Sequence, residues 1–419
     1  MPIAPRRVVV TVLGAITPIG SDAPSFWAAA LAGTSGVAPI TKFDASGYAT
    51  TFAGEVKGFR AEDHMDRKLA RRMDPFAHFA VAAANEAIRD AGIETATLSD
   101  GERARIGVVY GSGQGGMTTY QAQTEVLITE GHDRVSPFFV PMIIVDIAPG
   151  HISMIHGLRG PNYSAVSACA TGNHNLGDAF MLIQRGSADV MVTGGAESSV
   201  TELGISGFNA LKALSTRNDS PETASRPFDI TRDGFVLGEG AGALVLEEYE
   251  HARARGARIY AEVKGFGASA DAYHMTAPDP EGRGVRACMH AALRDAELQP
   301  EDIEHINMHG TSTQLGDVAE TNAIKGVFGD HAASISCTST KSMTGHLLGA
   351  AGAIEAVSTV LALHHGIVPP TINVREPDPA CDLDYTTSGA RPRAIRAAMS
   401  NGFGFGGHNS SVVFTRVDD

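Results

Sequence analysis

The sequence predicts an α/β fold made of two duplicated halves packed pseudo-symmetrically, and three observations predict it. Short apolar runs with strand character alternate along the chain with segments whose apolar residues recur at helical spacing. A helix end at 87–93 (A-I-R-D-A-G-I) is echoed at 292–298 (A-L-R-D-A-E-L), each leading toward a strand. A second echo sets Ser167, Cys169, His174, Leu176, Gly177 and Ala179 over Ser339, Lys341, His346, Leu348, Gly349 and Ala351. Both of these spans read as a strand, a turn and a small-residue helix, and duplication would set the Cys169 turn and the Lys341 turn face to face.

Residues 6–13 (R-R-V-V-V-T-V-L) form the first predicted strand. They superficially resemble a signal peptide, but the apolar run is short and passes directly into Pro18 and Gly20. Asp74 and Pro75 open a helix as N-cap and first-turn proline, with Phe76, Phe79, Ala83 and Ala87 on one face and Gly92 at its end. A strand at 105–110 leads to Gly111-Ser112-Gly113-Gln114-Gly115-Gly116, which satisfies G-x-G-x-x-G. The segment beyond lacks a second strand with its closing acid, so close backbone approach to a ligand or chain is favoured over a dinucleotide site. Val135 to Gly150 is apolar and proline-broken, suiting either core or a subunit contact. Strands at 188–193 and 241–248 bracket the loop from Ser215 to Asp219. Farther on, a strand ends in His309-Gly310-Thr311-Ser312-Thr313, and Asp317 with Glu320 reads as an acidic cap on the next helix. Leu347 to His365 reads as a helix. Phe403 and Phe405 alternate with glycines at 402–407, which suits a gate or a tight aromatic turn.

The chemistry centres on residues 163–175. Small apolar residues before Cys169 suit a buried strand, and Leu176, Ala179, Phe180 and Ile183 continue as a helix to Gly186. A thiol on such a strand-to-helix turn lies near backbone N–H groups and the positive end of the helix dipole, which favours thiolate. Cys288, Cys337 and Cys381 fit a buried structural role instead, since none heads a glycine-containing turn into a helix. Cys169 with His309, His346 and Lys341, all beside strand ends or turns, suits acyl transfer through a thioester, the imidazoles stabilising an oxyanion or enolate. Metal binding is disfavoured, because these histidines are far apart in sequence and lack zinc spacing.

At 419 residues, 43% hydrophobic and 19% charged, the chain reads as an ordinary soluble globular protein able to bury a large core. Four cysteines without a C-x-x-C pair point to a reducing cytoplasm. No apolar run approaches membrane-spanning length. A net charge of −14 argues against nucleic acid or an anionic membrane as the main partner. Lys68, Arg71 and Arg72 cluster before a helix, and Lys212 and Arg217 flank a loop; charge alone reads each group as solvated surface.

Taken together, S-A-C-A-T-G at 167–172, H-G-T-S-T at 309–313, S-T-K-S-M-T-G-H at 339–346 and G-F-G-F-G-G at 402–407 resemble one family. It is the β-ketoacyl-[acyl-carrier-protein] synthases of the type II elongating class, in the thiolase-like superfamily. A-L-S-T-R-N-D at 213–219, R-P-F-D at 226–229 and D-G-F-V-L-G-E-G-A-G at 233–242 support the likeness, which runs from the first strand to the last. The resemblance implies a thiolase-like fold layered α-β-α-β-α, with one half over residues 1–250 carrying Cys169. The other half, over 251–419, carries His309, Lys341, His346 and the gating loop.

It also implies roles. Cys169 would take the acyl chain as a thioester. His309 and His346 would promote decarboxylation of a malonyl thioester, with Lys341 and, behind it, Glu355 organising the site. The N–H groups of Cys169 and Phe405 would form the oxyanion hole. Thr311, Thr313 and Thr276 would meet the phosphopantetheine arm, which arrives on the carrier protein, so no bound cofactor is needed. Gln114, Phe208, Phe403 and Phe405 would shape and gate the acyl pocket. Lys68, Arg71, Arg72 and Lys212 would dock an acidic acyl carrier protein, and the enzyme would be a homodimer. The implied reaction is fatty-acid chain elongation, with a sister ketosynthase of a polyketide or aryl-polyene pathway as the alternative. A non-catalytic chain-length subunit would lack the cysteine, and a thiolase would need a second active one. Departures from the family pattern are Met308, Gln314, Val12 and, at the acyl pocket where isoleucine is usual, Gln114.

Overall fold

The computed structural model describes residues 5–417. Its main sheet has ten strands: β1 (Val8–Ile16), β2 (Ile106–Gly111), β3 (Asn162–Tyr163), β4 (Val190–Glu197), β5 (Gly240–Glu248), β6 (Ala261–Ala270), β7 (His305–Asn307), β8 (Ser336–Thr338), β9 (Ala397–Gly404) and β10 (His408–Thr415). Their order is β8-β7-β9-β10-β6-β1-β5-β4-β2-β3. Read outward from the centre, the two arms repeat each other. β1–β5 and β6–β10 are antiparallel, as are β5–β4 and β10–β9, while β4–β2–β3 and β9–β7–β8 run parallel. The arms join through only three residue pairs, Val8–Val10 against Ala261–Val263.

Six helices complete the frame: α1 (Pro75–Asp90), α2 (Ile147–His156), α3 (Thr171–Gln184), α4 (Arg283–Ala296), α5 (Gln314–Phe328) and α6 (Ala351–His365). α3 and α6 each touch strands of both arms, so the sheet folds at its narrow joint and encloses them. α1 and α2 cover the outer face of one arm, and α4 packs outside the other, which completes the α-β-α-β-α layering. The middle layer is apolar, with Leu176, Phe180 and Ile183 of α3 buried against Ile354, Val357 and Leu361 of α6. Asp74 caps α1 as expected, its carboxylate accepting from Phe76 N–H.

The first echo marks equivalent packing. β1 Gly14 lies against the Ala83 carbonyl of α1, and β6 Gly267 lies against the Cys288 carbonyl of α4. A side chain at either glycine would strike helix backbone.

The second echo is real but in a different register from the one the sequence suggests. Each central helix is preceded by a short 3₁₀ turn, Ala168–Ala170 and Leu348–Ala350. Each turn starts on a non-glycine residue with positive φ, 51° at Ala168 and 47° at Leu348. Structurally, therefore, Cys169 matches Gly349, and the short helix Lys341–Thr344 is extra. The segment before Cys169 is not the expected buried strand. β3 covers only Asn162–Tyr163 at the sheet edge, and Val166 is 53% exposed. The 135–150 segment divides: Phe138, Val140 and Ile144 are exposed, whereas Ala148 and Pro149 at the start of α2 are buried.

The two central helices meet through glycine. A Cβ on Gly172 would lie 2.5 Å from Ala353 N, and one on Gly352 would lie 2.8 Å from Asn173 N. Gly172→Ala is therefore expected to lower stability by about 1–3 kcal/mol through overpacking. Gly207→Ala, on the exposed face of helix Glu202–Ala210 with open space around it, should instead raise it by roughly 0.5–1 kcal/mol. Urea midpoints of the two variants check both signs.

Candidate active site

The C-terminal ends of the strands in both arms converge on a cavity of about 640 Å³. Cys169, His309 and His346 line it together, although they come from both halves of the chain. So do Thr311, Thr313 and Thr276, and also Gln114, Phe208, Phe403 and Phe405. Lys341 does not reach the cavity wall. It is 1% exposed, its Nζ 3.4 Å from His309 Nδ1 and paired with the buried Glu355.

Cys169 sits on the 3₁₀ turn ahead of α3, and the hairpin between β9 and β10 leans over it. Gly404 is where the two backbones meet, since a Cβ there would lie 3.1 Å from Cys169 N. The backbone amide of Phe405, in the turn of that hairpin, favours the thiolate form of Cys169. Much of the expected gating loop is strand, because Phe403 pairs with Asn409 and Gly404 with His408; Phe405 alone of the two aromatics lies in the turn. The thiolate expected from the helix start is not favoured in the resting site. Burial pushes the Cys169 thiol up to about 12, against the pull of Lys341 and the Phe405 amide. The sulfur in the resting site is therefore a protonated thiol.

His309 and His346 stand perpendicular, ring centroids 5.3 Å apart. Burial, reinforced by Lys341, holds both imidazoles well below their usual pKa, so both are neutral at pH 7. An ammonium only donates, so His309 Nδ1 is the acceptor toward Lys341 and Nε2 carries the proton. That tautomer offers one N–H for hydrogen bonding away from Lys341.

The loop bearing His309 is held by residues read from the sequence as a helix cap. Glu320 accepts from His309 N–H at 2.9 Å and Gly310 N–H at 2.8 Å, and Asn401 Nδ2 donates to it at 3.2 Å. Asp317 accepts from Ser312 N–H at 3.1 Å and Phe228 N–H at 2.9 Å. Both lie within the first two turns of α5, where side chains lean toward the helix N-terminus and reach the preceding loop. Burial raises Glu320 to about 7 and Asp317 to about 6. Asn401 and Arg232, whose guanidinium lies 3.4 Å from Asp317, were also missed. Their one sequence signal is adjacency to the G-F-G-F and D-G-F-V motifs.

The basic residues separate. Lys212 is exposed on the cavity rim with φ 53°. Lys68, Arg71 and Arg72 are exposed on and after the short helix Arg67–Ala70, where Arg72 lies 4.7 Å over the Phe138 ring, and none of the three lines the cavity. Among the described residues no three His, Cys, Asp or Glu side chains gather as metal ligands, and no helix is long and apolar enough to cross a membrane.

A buried thiol and two neutral imidazoles lining one cavity in a two-half α/β fold suit condensing or thiolytic acyl transfer. The models for the β-ketoacyl synthase N-terminal and C-terminal domains match residues 5–252 and 260–375, and the chain belongs to the β-ketoacyl synthase family. It is 51% identical over 413 residues to a 3-oxoacyl-[acyl-carrier-protein] synthase 2 of Staphylococcus aureus (strain N315), covering 99% of each chain. A β-ketoacyl synthase of Burkholderia phymatum STM815 superposes with TM-score 0.90 at 38% identity, over 99% of this chain and all of that one. The ketosynthase solved in complex with a type II PKS acyl-carrier protein and bound to the hexaketide superposes with TM-score 0.89 at 36% identity, over the same shares.

The Lys341–Glu355 pair gives a pH-dependent expectation. Lys341→Met leaves Glu355 buried without its cation, so its carboxyl, already raised to about 7 by burial, rises further above its ordinary 4.5. A carboxyl raised in the folded state binds its proton more tightly there, so stability falls as pH increases past 4.5. Lys341→Met should be mildly destabilised near pH 5 and lose about 3–5 kcal/mol near pH 8. Adding Glu355→Leu should recover most of that loss. Denaturant unfolding at the two pH values checks both statements.

Proposed function

We propose that this protein catalyses the decarboxylative Claisen condensation of an acyl-carrier thioester with malonyl carrier protein, in fatty-acid chain elongation. One observation carries the reading: a thiol and two neutral imidazoles, backed by a buried lysine, line one cavity. Cys169 sulfur attacks the acyl carbonyl, and the carrier thiol leaves with a proton. The malonyl thioester then loses CO2 while His309 and His346 hydrogen-bond the developing enolate oxygen. The enolate carbon bonds to the acyl carbonyl, whose oxyanion is held by the N–H groups of Cys169 and Phe405. Collapse expels the Cys169 thiolate, which takes up a proton, and 3-oxoacyl carrier departs.

Neutral imidazoles suit this task because each presents an N–H to an anion without holding the malonyl carboxylate as a salt. Lys341 positions His309 from behind. Thr311 and Thr313, whose hydroxyls lie 3.0 Å apart, receive the carrier's phosphopantetheine arm with Thr276 nearby. Gln114 and Phe208 shape the acyl pocket, and Phe403 and Phe405 gate it. Residues 1–250 and 251–419 act as the two halves of one site. Identity of 51% to a 3-oxoacyl-[acyl-carrier-protein] synthase 2, against 36% to the PKS ketosynthase, favours elongation over the polyketide or aryl-polyene alternative.

The carrier is the expected partner, and a second copy of this chain is another. The short edge strand β3 and its surroundings expose Tyr163, Val166, Met154 and Ile155, an apolar edge that a homodimer would cover. A reducing cytoplasm suits four free cysteines.

Two experiments test the reading. Cys169→Ala should show no acyl adduct by intact-mass spectrometry. His309→Ala and His346→Ala should still load acyl chains but lose malonyl decarboxylation by roughly 10²-fold or more, the loss expected for an oxyanion-type donor. Wild-type decarboxylation in both histidine variants overturns the assignment. Second, reversing the charge at Lys212 together with one of Lys68, Arg71 or Arg72 should raise KM for the carrier substrate and flatten its salt dependence. An unchanged KM at low salt would make these residues ordinary surface.

A further inference from the structure

Glu197, the last residue of β4, is fully buried, and the mechanism above does not use it. All its hydrogen-bond donors are uncharged. Oε1 takes Ser112 Oγ–H at 2.8 Å, Ser199 Oγ–H at 3.2 Å and Gln114 N–H at 3.3 Å. Oε2 takes Gly113 N–H at 2.8 Å and Gly349 N–H at 3.0 Å. Ser112 Oγ in turn accepts from Gly115 N–H at 2.9 Å. One carboxylate thus holds the 112–115 loop of one half and the turn after His346 of the other. Glycines make this approach possible: a Cβ on Gly113 or Gly349 would come within 2.8 or 2.9 Å of Oε2. Burial raises the Glu197 carboxyl above its ordinary range, the hydrogen bonds from Ser112, Gly349, Gly113 and Ser199 pull it back toward the carboxylate, and here it ties two loops that line the cavity.

We propose that Glu197 is a positioning residue that clamps the Gln114 loop to the Leu348–Gly349 turn, so that one carboxylate sets both the end of the acyl pocket and the seat of His346. This rests on the acyl-pocket reading of Gln114. Glu197 also faces Cys169 electrostatically and opposes its ionisation, with Glu355 acting in the same sense and Lys341 and the Phe405 amide in the other. The two histidines lining the cavity are neutral.

Glu197→Gln is the informative variant, because its amide oxygen can keep the Gly113 and Gly349 donors. Its NH2 can then face the two hydroxyls, losing the Gln114 N–H. Ser112→Ala loosens the same loop without altering charge. Two readouts on the purified full-length protein separate clamp from scaffold. The first is the rate of Cys169 alkylation by iodoacetamide against pH, with Cys169→Ala as blank. Glu197→Gln should move this profile to lower pH by at least about one pH unit, the effect of removing a nearby like charge, while Ser112→Ala leaves it in place. The second is Cys169 loading from a series of acyl-carrier thioesters. Both variants should change the long-to-short chain ratio by roughly tenfold, as a methylene-scale change in an apolar pocket does. Wild-type length ratios in both variants overturn the clamp, and an unmoved alkylation profile in Glu197→Gln overturns its electrostatic hold on Cys169. Should Glu197→Gln not fold, Ser112→Ala alone decides the length ratio. If wild-type protein loads no acyl chain, the proposed reaction fails, and the alkylation profile still decides the role of Glu197.

Discussion

The close contact between the starts of the two central helices is the constraint on which the rest depends. α3 and α6 meet where Gly172 lies against the Ala353 backbone and Gly352 against that of Asn173, so neither glycine admits a side chain without moving backbone. Asn173 reinforces the contact. With its amide oriented to satisfy both ends, it donates to the Gly352 carbonyl and accepts from Gly402 N–H, each at 3.1 Å. The helix that follows Cys169 is thereby fixed to its counterpart and to β9. Because the contact joins equivalent points of the two halves, it brings together the strand ends of both arms, with Gln114, His309 and Phe405 just beyond such ends.

Burial then determines the chemistry. It keeps the thiol protonated, empties the histidines of charge and raises the surrounding carboxylic acids, while the buried Lys341–Glu355 pair lies behind His309. A site so arranged offers neutral hydrogen-bond donors with one cation behind them, held in place at little reorganisation cost. The same burial explains why so many carboxylates near the site are occupied with backbone N–H groups. Glu320, Asp317 and Glu197 each substitute for water around loops that cannot form regular structure.

Local chemistry was legible from the residues alone wherever it depends on neighbours in the chain. The Asp74–Pro75 helix start, the strand cores and the small-residue helices follow from capping and periodicity. The four motifs named Cys169, His309, His346, Thr311, Thr313, Phe403 and Phe405 of the cavity, and the duplication was readable from two short echoes. What the sequence could not carry was register across the duplication. Identity at Ser167/Ser339 and His174/His346 outvoted geometry, and the helix Lys341–Thr344 moved the true match by eight residues, from Cys169 opposite Lys341 to Cys169 opposite Gly349.

Only the tertiary structure decided the electrostatics and the bracing. A cysteine before a helix reads as an activated thiolate until its burial is known, and desolvation reverses the sign. Asp317 and Glu320 read as a cap because caps are local, whereas their partners are loop amides made accessible by the fold. Glu197 carried no signal at all, since its donors come from residues 112–114, 199 and 349. Sequence determines which groups a chain owns and how they are spaced along a helix or strand; the free energy of each charge depends on what surrounds it, and that is assembled from parts of the chain far from one another.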